Sequence, residues 1–219
     1  VDCAGDCGGD AALDECGVCG GQGATDGLCA DDTPLLFQYN QSTQQAFNII
    51  TLVLINGIEA ASNDWVGAFN GDVCVGARKW DTSLCGGEKC DVPVLGYDGT
   101  EYTEGYMQSG DIPTFKIFDA SSGEYYDAVI TGDITDTDGN IVSGAWSNMA
   151  FINIVLLEVE LPIPGCTDPD YCNYDPSATS DDGSCFSAYA QTCYEDADGD
   201  GYWNESEDGD YCYCSDLGT

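Results

Sequence analysis

The sequence contains no histidine and only four basic residues, Arg78, Lys79, Lys89 and Lys116, against forty acids. Without histidine there is no histidine-based triad and no imidazole general base. No phosphate-cradling glycine loop precedes a helix. Hydrolysis of a glycoside by paired carboxylates would need a cleft that raises one acid's pKa, and no sequence feature points to one. The chain is therefore read as a non-enzyme. A formal charge of −36 excludes nucleic acid, whose binding needs a basic face to release counterions, and it excludes anionic membrane surfaces on the same ground. No apolar run reaches the roughly 18 residues that read as a membrane-spanning segment, so no membrane insertion is expected.

What is abundant is acid and cysteine. The acids comprise 29 Asp and 11 Glu. Short, turn-compatible Asp is the residue of calcium loops and Asx-turns, and compact folding at this charge calls for bound cations or high salt. Fourteen cysteines fall in three groups: Cys3, Cys7, Cys16, Cys19 and Cys29; Cys74, Cys85 and Cys90; Cys166, Cys172, Cys185, Cys193, Cys212 and Cys214. An even, abundant count points to disulfides in an oxidising compartment, hence to an extracellular or cell-surface protein. If all are oxidised, the odd first and second groups require a bridge between groups or between chains. A zinc site of Cys3, Cys7, Cys16 and Cys19 has the right ligand number, but an oxidising setting disfavours it. Val1 follows a processing cut, or the sequence is a segment of a longer secreted polypeptide.

Three regions are expected: a Cys/Gly/Asp-rich module over 1–32, a β-sandwich over 33–161, and a Cys/Asp-rich calcium-binding module over 162–219. The first has almost no apolar residue larger than Leu13, Val18 and Leu28, so it needs disulfides, metal or a neighbour for order. The second alternates apolar and β-branched residues between "NG" and "DG" turns. Its candidate strands are "LLFQYN", "AFNIITLVLIN", "DWVGAF", "DVCVGARKW", "PTFKIFD", "EYYDAVIT" and "MAFINIVLLEVE". The fold class is all-β, a sandwich or jelly roll flanked by small disulfide-rich calcium-binding modules. "AFNIITLVLIN" and "MAFINIVLLEVE" are apolar on both faces, which suits central strands or an edge completed by a neighbouring subunit. Pro162 and Pro164 mark a stiff linker.

The segment "EDADGDGYWNESEDGDYCYC" places Asp196, Asp198, Asp200, Tyr202, Asn204 and Glu207 at positions 1, 3, 5, 7, 9 and 12 of a calcium loop, with Gly201 at the turn. Asp168, Asp170, Asn173, Asp175, Asp181 and Asp182 could form a second calcium site or simply cap turns. Asp2, Asp6, Asp10 and Asp14 recur every fourth residue, as a third site or as a solvated face. Sequons mark Asn40 and Asn204 for glycosylation. Lys116 and Asn153 could form a pilin-like isopeptide, against the plainer reading of Lys116 as a snorkelling strand lysine.

Several of these motifs carry resemblances. The Asp196–Glu207 loop beside Cys193, Cys212 and Cys214 resembles the calcium repeats of thrombospondin type 3 and dockerin-like modules. "GCTDPDYCNYDPSATSDDGSC" and "DCAGDCGGDAALDECGVCGG" are similar to paired cysteine modules of large secreted surface proteins of aquatic bacteria. The core "DECGVCGG" also resembles a structural disulfide motif of secreted metalloprotease families. "DWVGAFNGDVCVG" is similar to a pattern of bacterial surface β-sandwich domains, and implies an extracellular β-domain without assigning an activity.

These features imply a structural subunit or repeat of an extracellular filament or cell-surface fibre, stiffened by disulfides and Ca2+. Its partners would be further copies of itself, head to tail, or neighbouring repeats. The alternative is a carbohydrate-binding adhesin domain with glycans as partners, using Tyr97, Tyr102, Tyr106, Trp65, Trp80 and Trp146.

Overall fold

The computed structural model describes residues 2–5 and 9–186. The chain divides into two compact units, Val1–Glu160 and Leu161–Thr219. Helix is confined to three single 3-10 turns among the described residues, and everything else regular is strand.

The first unit is built on β1 (Gln44–Ile55), β2 (Ile58–Glu59), β3 (Trp65–Asn70), β4 (Val73–Lys79), β5 (Cys90–Gly96), β6 (Thr114–Asp119), β7 (Glu124–Thr135) and β8 (Phe151–Val159). They form one mixed sheet in the order β2-β1-β8-β7-β6-β3-β4, with β5 added to β1. Only the β1–β8 pair is parallel. β7 is the pivot: its first half, to Ala128, pairs with β6, and its second half, from Val129, pairs with β8. The path therefore curls until its far ends meet. A Cβ placed on Gly76 of β4 would stand 1.9 Å from the carbonyl oxygen of Pro93 in β5. Arg78 clamps the same two strands, donating through Nε to the Asp91 carbonyl at 2.8 Å and pairing with the Asp91 carboxylate at 2.5 Å. The two inner faces expected of a sandwich thus come from two halves of one continuous sheet. Ile50, Val66, Val75, Val92, Ile117, Ile154 and Leu157 are fully buried.

The doubly apolar strands are both central, each flanked on both sides. Their composition has a geometric cause. In β1 the buried positions run Ala46, Asn48, Ile50 and then shift phase to Val53; in β8 they run Ile152, Ile154 and then Leu157, Val159. Because a strand alternates faces, a mid-strand shift brings residues of both phases into the core. The adjoining register shift in β7 falls between Thr131 and Ile134, at the same level of the sheet.

Two expectations about elements change. "LLFQYN" is not a strand: Pro34 leads into a 3-10 turn, Leu35–Phe37, closed by the Phe37 amide donating to the Pro34 carbonyl at 2.8 Å. β5 is an additional strand. Pro93 argues against a central strand, and it is accommodated here because β5 pairs on one side only, with β1.

The 3-10 turn seats Phe37, fully buried, against the second face of β3. Its ring meets Phe69 edge-on at 5.7 Å and Tyr125 at 5.5 Å. A Cβ on Gly67 would come within 2.8 Å of that ring, so glycine is needed for the close approach. Leu28 of the N-terminal segment joins this cluster, which also contains Cys74, Ala77 and Phe118. The core-poor N-terminus therefore borrows a core from the β-domain.

In the second unit, β9 (Pro164–Gly165) and β10 (Ser180–Asp181) pair in parallel, and Cys166–Cys185 closes the loop between them.

Candidate functional site

The acidic residues of the N-terminal segment organise its turns. Asp14 accepts from the amides of Val18 at 2.8 Å, Gly23 at 2.9 Å and Cys16 at 3.0 Å. These amides, Val18 first, hold its carboxyl below the usual carboxylate range. Asp2 accepts from Ala4 and Ala11, and Glu15 from Ala24. Cys3–Cys19 and Cys16–Cys29 staple the same loops. These bridges replace the zinc reading for Cys3, Cys16 and Cys19: sulfur bonded to sulfur has no thiolate to give a metal. Asp10 is exposed, while Asp6 and Cys7 lie outside the described residues.

In the second unit four of the five candidate acids also cap their own turns, and the fifth, Asp170, is exposed. Asp168 accepts from the Asp170 amide, Asp175 from Ser177, Asp181 from Gly183 and Asp182 from Ser184. Asn173 ties the module together, donating to the Ser184 carbonyl and accepting from the Phe186 amide. Cys172 is also disulfide-bonded. Among the described residues no three His, Cys, Asp or Glu side chains converge as a metal-holding group. The Asp196–Glu207 loop, with Tyr202, Asn204, Cys193, Cys212 and Cys214, lies outside the described residues.

Cys85–Cys90 closes a short loop of the second cysteine group, but Cys74 is a free, buried thiol. Its assignment to a disulfide is corrected, and with it the inference that this group must bridge to another. Cys74 packs in the Phe37 cluster, and burial pushes its thiol up to about 12.

The aromatic set proposed for glycan contact separates into core and surface. Trp80, Tyr106 and Trp146 are buried, and Trp65 is half-buried against the Phe37 cluster. Trp146 donates its indole N–H to the Val94 carbonyl at 2.8 Å, the satisfied arrangement of a core tryptophan. Tyr106 uses its hydroxyl on the backbone of Asn40. Only Tyr97, 46% exposed, and Tyr102, 68% exposed, remain available from that set. They flank a polar knot in which Asp98 accepts from the hydroxyls of Thr100 and Thr103 at 2.8 Å and from the Thr43 amide at 3.3 Å. Thr103, then Thr100, pull the Asp98 carboxyl well below its ordinary value. The sequence signal for this knot is "YDGTEYT", where Asp and Thr bracket a turn glycine.

Asn40 is exposed, but its amide nitrogen donates to the Tyr102 carbonyl at 3.0 Å. Lys116 pairs with Asp127 on the neighbouring strand and lies over the Phe69 ring. Asn153 sits on β8, with β7 intervening, and donates to the Asp136 carbonyl. That placement rules for the structural lysine over an isopeptide. Arg78 and Lys79 are likewise paired, with Asp91 and Asp32. Asp64, buried at the head of "DWVGAF", is an anchor that strand periodicity does not reveal. It accepts from Ala61 at 2.7 Å and Ala120 at 2.9 Å, joining two loops.

No family model and no solved structure matches this chain. One stretch of 29 residues is 66% identical to the chloroplastic ribulose bisphosphate carboxylase/oxygenase activase of Spinacia oleracea, covering 13% of this chain and 6% of that protein. A match of that extent transfers neither fold nor activity. The disulfides among the described residues are those of a chain matured in an oxidising environment.

Proposed function

We propose that the chain is a structural unit of an extracellular filament or cell-surface fibre, rigidified by disulfides and calcium. The observation that carries this reading is the construction of the N-terminus. Two disulfides and Asp-capped turns order a segment with no core of its own, and the Leu28 contact seats it on the β-domain. Such fixation suits a part that transmits position from one unit to the next. Calcium enters through charge. Three of the four basic residues already pair with Asp inside the first unit, so the remaining acids need other cations. Asp196, Asp198, Asp200, Tyr202, Asn204 and Glu207 have the spacing to hold one. Sedimentation velocity with calcium and with chelator tests this: reversible, calcium-dependent assembly supports it, and an unchanged monomer under both conditions contradicts it.

A second reading, a glycan-binding adhesin, is favoured by the exposure of Tyr97 and Tyr102 beside one loop. Glycan-array binding lost in a Tyr97→Ala/Tyr102→Ala variant, with folding intact, would replace the first reading.

A further inference from the structure

The described residues contain two Asn-Gly pairs, and the fold treats them differently. Asn56-Gly57 forms the two-residue turn between β1 and β2, flanked by the pairs Ile55–Ile58 and Leu54–Glu59. Both residues have positive φ, 51° and 78°, as a type I′ hairpin turn requires. Asn56 is exposed, and its side chain makes no hydrogen bond among the described residues. Its backbone amide is fixed, donating to the Val159 carbonyl at 2.7 Å. Asn70-Gly71 turns between β3 and β4, and there the carboxamide is anchored. Its Nδ2 donates to the carbonyls of Gly105 at 3.0 Å and Tyr106 at 3.4 Å. Neither glycine would crowd a side chain, so the difference lies in the asparagines.

We propose that Asn56 is a site of spontaneous deamidation, and that the fold protects Asn70. Deprotonated Gly57 nitrogen attacks the Asn56 Cγ; the new N–Cγ bond forms as the Cγ–Nδ2 bond breaks, and ammonia leaves carrying the displaced proton. Water then opens the succinimide at either carbonyl, giving aspartate or isoaspartate. The attack requires the carboxamide to swing onto the following nitrogen. At Asn56 no hydrogen bond among the described residues holds it. At Asn70 the swing breaks a hydrogen bond before any covalent change, and a typical net bond of about 1 kcal/mol corresponds to roughly fivefold to tenfold in rate. The isoaspartate product would add a backbone atom to a turn whose ladder tolerates no insertion, releasing β2 from β1.

The test incubates the full chain at mildly alkaline pH, native and in parallel unfolded in denaturant with its disulfides reduced, and follows both peptides by mass spectrometry. In the native protein Asn56 is expected to convert about fivefold to tenfold faster than Asn70, and in the unfolded protein the two should convert at similar rates. Native Asn70 converting as fast as Asn56, or Asn56 remaining intact while its unfolded peptide converts, would overturn the proposal.

Discussion

Trp146 fills the space that a side chain at position 96 would need: a Cβ on Gly96 would stand 2.3 Å from its Cη2. The indole cannot withdraw, because it is buried and bonded to the Val94 carbonyl. Gly96→Ala should therefore destabilise the protein by about 1–3 kcal/mol, the usual cost of overpacking. Gly76→Ala should cost at least as much, since its Cβ would meet the Pro93 backbone oxygen at 1.9 Å and not a side chain. Urea denaturation followed by tryptophan fluorescence measures both. An unchanged midpoint for Gly76→Ala would mean that β4 and β5 do not close on each other.

The Asp98 knot gives a pH signature. Its carboxyl is depressed by Thr103, then Thr100, so it favours the folded state above the ordinary carboxylate pKa of about 3.9 and loses that contribution as pH falls through the folded value. Asp98→Ala should melt below the wild type at neutral pH. The gap should stay constant to about pH 5 and narrow below about pH 4. Relief of the general acidic repulsion is shared by both proteins and cancels in the difference. A gap that widens in acid contradicts this assignment.

Reduction should act locally. Cys3–Cys19 and Cys16–Cys29 close loops with sequence separations of 16 and 13, each of a length for which chain entropy gives about 3 kcal/mol. Among the described residues the β-domain's own bridge, Cys85–Cys90, spans a sequence separation of only 5. Limited proteolysis after mild reduction should cut first within residues 2–29 while β1 to β8 stay protected. Simultaneous loss of both regions would contradict a separately stapled N-terminus.

Cys74 should resist alkylation in the native protein and react on unfolding, because its thiol is buried and its pKa is pushed up to about 12. Peptide mapping after iodoacetamide treatment measures this at the single residue. Rapid native labelling would place Cys74 outside the core.

Much of the β-domain was legible because strand alternation and turn glycines are local signals. β3, β4 and β6 lie within a residue or so of "DWVGAF", "DVCVGARKW" and "PTFKIFD". What was not legible depended on tertiary position. Pro93 hid β5, which is permitted only because one of its edges has no ladder to maintain. The reason for two doubly apolar strands is a phase shift that no periodicity scan separates from a fully buried strand. Disulfide pairing, and the exclusion of Cys74 from it, follow from which loops the fold brings together. Among the aromatics, Trp80, Tyr106 and Trp146 could not be told from Tyr97 and Tyr102 by composition, since burial is decided by the partner face. The acids at Asp14, Asp168 and Asp182 show the same ambiguity: the spacing that suits a metal also suits an Asx-turn.

Electron microscopy of the purified chain, with calcium and after chelation, tests the proposed fibre role most directly. Regular filaments in calcium that disassemble on chelation and return when calcium is restored are the expected result. Particles that remain single in calcium, or filaments indifferent to chelation, would contradict a calcium-stabilised structural unit.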